Sequence, residues 1–280
     1  MKSSQFTFAA QSQAFPSRII CLSGEASELL YLLGEQDRIV GVSGFSKRPP
    51  EVMTKPRVST FKEANFEAIE KLDPDLIITY SDVQAEITKE SIHRGFLVLN
   101  FNQRSVSEIF EFIALIARLV HQQEKGNDLI AAYQAELQQI ASAAACFPRK
   151  PRVFFEEWHD PIISGIEWVE ELIEIAGGEP IFPEYRKARK AKDRVVQPEE
   201  VIARNPDVIL ASWCGMKVKK ESICAREGWD RIEAVRNHRV YEIPSSHILQ
   251  PGPACLTDGV RELHRILGEV ASNVPRASYP

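Results

Sequence analysis

The 280-residue chain contains neither G-x-x-x-x-G-K-[ST] nor G-x-G-x-x-G, which excludes the common P-loop and dinucleotide-binding classes. It also lacks a G-x-S-x-G elbow, and with it the α/β-hydrolase route to a nucleophile. Cysteine is sparse and odd in number: Cys21, Cys146, Cys214, Cys224 and Cys255 include no C-x-x-C pair. That is a pattern of reduced thiols rather than of a disulfide framework. No apolar run approaches the ~18 residues that cross a bilayer, and the richest, Ile109 to Val120, is broken by Glu111 and Arg118. Membrane insertion is therefore not expected. A dominant charge is missing as well, since the net value is −5 without long single-sign runs, so a nucleic-acid partner finds no electrostatic footprint. The one basic cluster, Arg186 to Arg194, reads as a solvated loop. Residues 1–16 carry Gln5, Thr7, Gln11, Ser12 and Gln13 where a leader would have a continuous apolar stretch. The expectation is a cytoplasmic protein as written, or a periplasmic one if a signal sequence has been removed.

What is present is an ordinary globular composition, 44% hydrophobic and 26% charged, at a length that suits about two domains or one large bilobed unit. From Ser17 short apolar runs alternate with helical stripes. Arg18 to Leu22 and Ile39 to Val42 read as strands, Asn65 to Leu72 as a short helix, and Leu76 to Tyr80 as a buried strand. Gln84 to Arg94 reads as a helix, and Phe96 to Leu99 as a strand. That rhythm implies βαβ units and a parallel sheet. Between Ser105 and Ala145 the period becomes helical throughout, as two consecutive helices joined at Gly126. Alternation resumes with a strand at Val153 to Phe155, a helix from Glu167 to Ala176, a helix at Pro198 to Ala203 and a strand at Val208 to Ala211. A strand at Val240 to Ile243 and a closing helix from Leu256 to Val270 complete it. The expected division is an extension over 1–16, an α/β lobe over 17–104, a helical connector over 105–147 and a second α/β lobe over 148–280.

The two lobes share a segment. Asn65 to Ile78, around Glu67 and Pro74-Asp75, recurs 132 residues later as Gln197 to Leu210, around Glu199 and Pro206-Asp207. Each copy is a short helix, a Pro-Asp turn and a buried strand, so the chain reads as two versions of one unit related by a pseudo-two-fold.

Ligands of open parallel sheets lie beyond the carboxyl ends of the strands. There the first lobe offers Ser23, Phe45, Tyr80 and Phe101, with Phe61 in the loop before the Glu67 helix, and the second offers Trp158, His159, Trp213, Cys214 and the stretch Ser245-Ser246-His247. Aromatics outnumber ionisable groups, which suits a surface enclosing a flat, partly apolar ligand better than a site of proton transfer. Some readings stay open. Glu156 to Asp160 is either a polar loop or an acid/base or metal-ligating cluster. Cys214 is a buried inert thiol or a nucleophile, and His247, on a loop stiffened by Pro251 and Pro253, is a structural or a ligand-facing imidazole.

Arg18 to Ser23, Ile39 to Ser43, Pro49-Pro50, Val58 to Phe61, Asn65 to Ile78, Gly177-Gly178-Glu179 and Pro198 to Pro206 together resemble the helical-backbone class of ABC-importer substrate-binding proteins. Within that class the chain looks most like the cobalamin binders, whose relatives carry siderophores and haem. The resemblance spans about residues 17 to 270. It implies two Rossmann-like lobes with parallel sheets, joined by one long backbone helix, and a ligand in the cleft between them. It also implies a binding protein without catalysis and without a cofactor of its own, whose ligand is a corrinoid such as cobalamin or cobinamide. Corrin-contacting aromatics of the family match Phe45, Phe61 and Tyr80, with Trp158 at the second-lobe counterpart. A further family tryptophan is not matched, Asp193 standing near its position. The family's permease-docking glutamates match Glu67 and Glu199, which would fit a two-fold permease dimer symmetrically; a carboxylate at a helix start is the competing reading for both. Two other readings remain: a siderophore, haem or metal-ion binder using His159 and His247, or an enzyme acting on a corrinoid through His247, Cys214 or the Glu157 to Asp160 segment.

Overall fold

A computed structural model describes residues 15–272; apart from Phe15 and Pro16, the expected N-terminal extension lies outside the described residues. The first half runs β1 (Ile19–Cys21), α1 (Gly24–Leu32), β2 (Ile39–Ser43), β3 (Arg57–Ser59), α2 (Phe66–Lys71), β4 (Leu76–Tyr80), α3 (Ala85–His93) and β5 (Val98–Phe101). Its five strands form a wholly parallel sheet in the order β3-β2-β1-β4-β5. Two helices follow, α4 (Val106–Leu119) and α5 (Gln123–Ala144). Then come β6 (Arg152–His159), β7 (Ile162–Ser164), α6 (Glu167–Ile175), β8 (Glu179–Pro180), α7 (Pro198–Arg204), β9 (Val208–Ala211), α8 (Lys220–Cys224), α9 (Glu233–Arg236), β10 (Val240–Glu242) and α10 (Ser245–Ile248). A π-turn over Cys255–Gly259 leads into α11 (Val260–Ser272). The second sheet runs β10-β9-β6-β7, with β8 on the same edge of β6 as β7. The result is a two-lobed α/β fold.

One apolar core joins the lobes. Ile19 and Cys21 of β1, Leu76 and Ile78 of β4, Phe112 and Ile113 of α4 and Leu137 of α5 are continuous with Val153 and Phe155 of β6, Val208 and Leu210 of β9 and Leu263 of α11. The alternate residues of the same strands face outward into separate cores. Ile20, Leu22 and Ile77 pack with Ile69 in the first lobe, while Phe154, Ile209 and Ala211 pack with Trp229 in the second. Period-two alternation on strands buried on both faces therefore builds two mirrored three-layer lobes against a common helical wall.

The repeated Pro-Asp turn has a shared mechanical role. Asp75 accepts the backbone N–H groups of Ser17 and Arg18 at 2.7 and 2.9 Å, just before β1. Its counterpart Asp207 accepts that of Arg152 at 2.7 Å, at the start of β6. Each aspartate thus pins the central strand of its lobe beside the strand it precedes. The helices before these turns are capped by local chemistry, Asn65 receiving Ala68 N–H at 3.0 Å and Gln197 forming a capping box with Glu200.

Several boundaries differ from the pattern reading. The strand expected from Phe96 begins at Val98, because the amide of Phe96 is used to close α3 against the Ser91 carbonyl. The short strands β3, β7 and β8 were too brief to register as periodic runs. β6 continues through His159 and returns as the antiparallel β7, so Glu156 to His159 are strand residues and not a loop. The basic segment is latched down: Arg194 is 1% exposed and paired with Glu157, and Arg186 and Lys187 pair with Glu174 and Glu167 of α6.

Gly126 is not the join between the long helices; it lies in the first turn of α5, and the break falls at Val120 to Gln122. A Cβ at Gly126 would stand 2.3 Å from the Ala117 Cβ, so glycine is there to let α5 approach α4. Gly126→Ala gains helix propensity of about 1 kcal/mol but should lower stability overall by about 1–3 kcal/mol through overpacking. Denaturant unfolding checks this, and adding Ala117→Gly should restore most of the loss.

Candidate functional site

The strand order of each sheet reverses beside its central strand, between β1 and β4 in the first lobe and between β6 and β9 in the second. Beyond the carboxyl ends at such a switch point the connections diverge and leave a crevice. The two crevices face each other, and a cavity lies between them. Ser23, Glu25, Phe45, Phe61 and Tyr80 line it from the first lobe, and Cys214, Ser245, Ser246 and Gln250 from the second.

The aromatic side is held by polar lashings. Phe45 and Phe61 meet edge to face, with ring centroids 6.0 Å apart. Tyr80 is buried, its hydroxyl donating to the Gln103 carbonyl at 3.3 Å, and burial holds it well above the ordinary phenol range, as a neutral donor. Gln84 ties three segments together, accepting the Tyr80 N–H at 2.9 Å and donating to the Leu22 carbonyl at 2.8 Å and the Phe61 carbonyl at 3.5 Å. Across the cleft Gly215 lies against the Phe45 ring, where an added Cβ would come within 2.8 Å. The cavity holds about 50 Å³, room for a few waters.

The remaining sequence candidates lie elsewhere. Trp158 is a β6 residue opposite Ile163, with its indole N–H donating to the Asp160 carbonyl at 3.0 Å. Trp213 is 1% exposed, packs in the second lobe's outer core and donates to Glu156 at 3.2 Å. His159 packs against it, ring centroids 4.4 Å apart and planes tilted by 34°. Both tryptophans fall outside the cavity wall, because β6 runs on through Trp158 into the β7 hairpin and the chain after β9 folds Trp213 into the core. His247 belongs to α10 and faces Arg48, its Nε2 lying 3.3 Å from a guanidinium nitrogen that is part of a network with Glu28 and Asp258. Burial and the Arg48 charge hold this imidazole below its ordinary pKa. It is a link between lobes rather than a cavity wall. Cys214 does line the cavity and is exposed there rather than buried as expected; desolvation by the surrounding wall and the charges of Glu157 and Glu25 push its thiol up, away from a nucleophilic thiolate. Among the described residues no group of three or more His, Cys, Asp or Glu side chains is placed to hold a metal ion.

Glu25 and Gln84 are cavity residues that pattern reading passed over. The signal was available for Glu25, which stands two residues after Ser23 at the first strand's end, where the reading stopped. Gln84 announces itself only through its hydrogen bonds. Glu67 and Glu199 are exposed second residues of α2 and α7. Each helix feeds straight into its strand through the Pro-Asp turn, so both carboxylates lie toward the carboxyl ends of the sheets, on the cleft side.

Two crevice-forming lobes on one helical core, with a cavity walled by aromatic rings between them, are the architecture of a bilobed ligand-binding protein. Residues 19–247 match the family model described as periplasmic binding protein, and the chain belongs to that family, the non-catalytic substrate-binding components of ABC importers. It is 27% identical over 262 residues to a vitamin B12-binding protein of Vibrio cholerae, covering 90% of each chain. It is 28% identical over 257 residues to an ABC transporter substrate-binding lipoprotein of Bacillus subtilis, covering 89% of this chain and 79% of the relative. Among solved structures, the periplasmic vitamin B12-binding protein of Vibrio cholerae superposes with a TM-score of 0.72 at 25% identity, over 92% of this chain and 98% of that one. A periplasmic haem-binding protein from Roseiflexus reaches 0.79 at 22% identity, over 91% and 99%, which is a likeness of fold.

Burial pushes the Glu25 carboxyl up to about 7 from 4.5. The folded state therefore holds this proton up to about pH 7 while the unfolded chain releases it near 4.5, and stability falls as pH rises through that window, by about 3 kcal/mol in all. Glu25→Gln should raise the thermal midpoint more at pH 8 than at pH 5, as calorimetry at the two pH values will show.

Proposed function

We propose that this protein is the receptor of an importer for a corrinoid, cobalamin or cobinamide, held as a flat macrocycle in the interlobe cleft. The observation that carries the reading is the convergence of Phe45, Phe61 and Tyr80, from successive strand ends of one lobe, on a single cavity. Similarity over nine-tenths of the chain to proteins named for vitamin B12 binding supports it. Aromatic faces match a large, flat, largely apolar ring, and the serines and Gln250 of the second lobe supply polar contacts at its edge. A corrin is far larger than the present cavity, so binding requires the Phe45 ring to rotate and the Cys214-Gly215 turn to lift. The shared core leaves those loops, not the lobes, as the parts free to move.

In this reading Glu67 and Glu199 are the contact points for a permease dimer. Both are exposed, neither forms an ion pair among the described residues, and they stand at equivalent places in two pseudo-symmetric lobes. The relatives named as periplasmic or as a lipoprotein support action outside the cytoplasm, and no helix among the described residues is long and apolar enough to cross a membrane.

Calorimetric and visible-absorbance titration with cyanocobalamin, dicyanocobinamide, hemin and a ferric siderophore tests the ligand class. Saturable 1:1 binding of the corrinoids is expected, with Phe61→Ala weakening it about tenfold through the lost ring contact. Binding of hemin or the siderophore alone would replace the corrinoid by a ferric chelate. For docking, charge reversal at Glu67 and Glu199 together should abolish co-elution with a reconstituted permease while leaving ligand affinity unchanged; retained co-elution would leave both as helix-start carboxylates.

A further inference from the structure

Glu25 carries a carboxyl oxygen that no group of the protein serves. It follows Ser23 and Gly24 at the carboxyl end of β1, lines the cavity beside Phe45, Phe61 and Tyr80, and is 3% exposed. Its position is imposed from the opposite lobe, since a Cβ on Gly252 would come 2.5 Å from the Glu25 Cβ. The Ser23 hydroxyl and the residue's own amide serve the carboxyl group, but Oε1 is buried without a hydrogen-bond partner. The other donors on the cavity wall do not reach it. The Gln84 amide goes to the Leu22 and Phe61 carbonyls, the Tyr80 hydroxyl to Gln103 and the Gln250 amide to the Phe45 carbonyl at 3.4 Å, while the Ser245 and Ser246 hydroxyls line the same cavity without bonding to Oε1. Lys47 is an exposed wall residue and forms no ion pair with Glu25. Glu157 of the second lobe, whose charge acts on Cys214 of the cavity wall, is by contrast paired with Arg194 at 2.6 Å.

A buried acceptor with no partner is costly to the free protein, and an incoming N–H donor removes that cost. A carboxylate brought to the same place would meet a like group with little water between them. We propose that Glu25 is a specificity-determining residue, whose Oε1 accepts an N–H from a primary-amide edge of the ligand and sets the cleft against macrocycles edged with carboxylates. The proposal rests on the corrinoid reading and adds which edge of the ring is recognised. It also gives the acid a role that the aromatic wall does not need, since a glutamine, serine or alanine would line the same apolar face without the folding cost.

The test compares two corrinoids that share the ring and differ at its edge, dicyanocobinamide with amide side chains and dicyanocobyrinic acid with free carboxylates, at pH 8. The wild-type protein should bind the amide form at least tenfold more tightly. Glu25→Gln, which presents a donor as well as an acceptor, should reduce that ratio severalfold, and Glu25→Ala should weaken cobinamide binding. Glu86→Gln removes the same charge from an exposed site on α3, at 87% side-chain exposure, and should leave the ratio as it is. Circular dichroism melts establish that each variant is folded. A ratio unchanged in both Glu25 variants overturns the assignment while the corrinoid reading stands. A ratio that Glu86→Gln lowers as much as Glu25→Gln reduces the effect to net charge and overturns it too. Failure of the wild-type protein to bind either corrinoid removes the corrinoid reading and this proposal with it.

Discussion

Everything in this molecule depends on one continuous apolar core that crosses the lobe junction. Ile19 and Cys21 of the first sheet share it with Val153 and Phe155 of the second, with α4 and α5 packed between. Separating the lobes would expose that core, and each large side chain withdrawn from it costs about 1.5–3 kcal/mol. A hinge between the lobes is thereby closed off, unlike the case in which two domains meet over a modest polar interface. The approach of α5 to α4 at Gly126 belongs to the same constraint, because the helices can only bridge the lobes if they pack closely on one another.

With the lobes welded, recognition falls to the loops at the strand ends, and polar interactions rather than packing shape them. Gln84 binds segments from β1, β4 and the Phe61 loop in one set of hydrogen bonds. Arg48 links the loop after Phe45 to Glu28 in its own lobe and to Asp258 and His247 in the other. Gln84 is buried and the Arg48 network half-buried, where hydrogen bonds are stronger than at the surface and leaving one unmade is expensive. The cleft pays stability for function at Glu25, a carboxyl kept in a site that favours its neutral form. Perturbed groups of this kind mark places where folding alone would have chosen another residue.

Much of the layout was legible. Alternation of short aliphatic runs with helical stripes announced parallel sheets, and the repeated Glu-to-Pro-Asp segment announced two related lobes. The structure adds why the repeat is there, since Asp75 and Asp207 each pin the first strand of their lobe. Phe45, Phe61 and Tyr80 were legible as strand-end residues because Tyr80 is the last residue of its strand and Phe45 and Phe61 each follow theirs by two residues. Trp158, Trp213 and His247 were read by the same rule and do not line the cavity. β6 runs on into a hairpin, the chain after β9 folds its tryptophan into the core, and the segment after β10 coils into a helix that turns the imidazole toward Arg48. The rule identifies which end of a sheet matters but not which way a particular side chain points.

By itself, then, the sequence determined the class of architecture, the number of lobes and the end of each sheet at which ligands of such folds lie. Hydrophobic period, turn residues and internal repetition are local properties, and they survive in a one-dimensional string. Only the tertiary structure decided which strand-end residues meet, that Glu25 is stranded without a donor, and that Gly126 and Gly252 stand where another backbone or side chain passes. Those facts concern groups far apart in the chain, and their proximity is fixed by the packing of one lobe against the other, which no local pattern records.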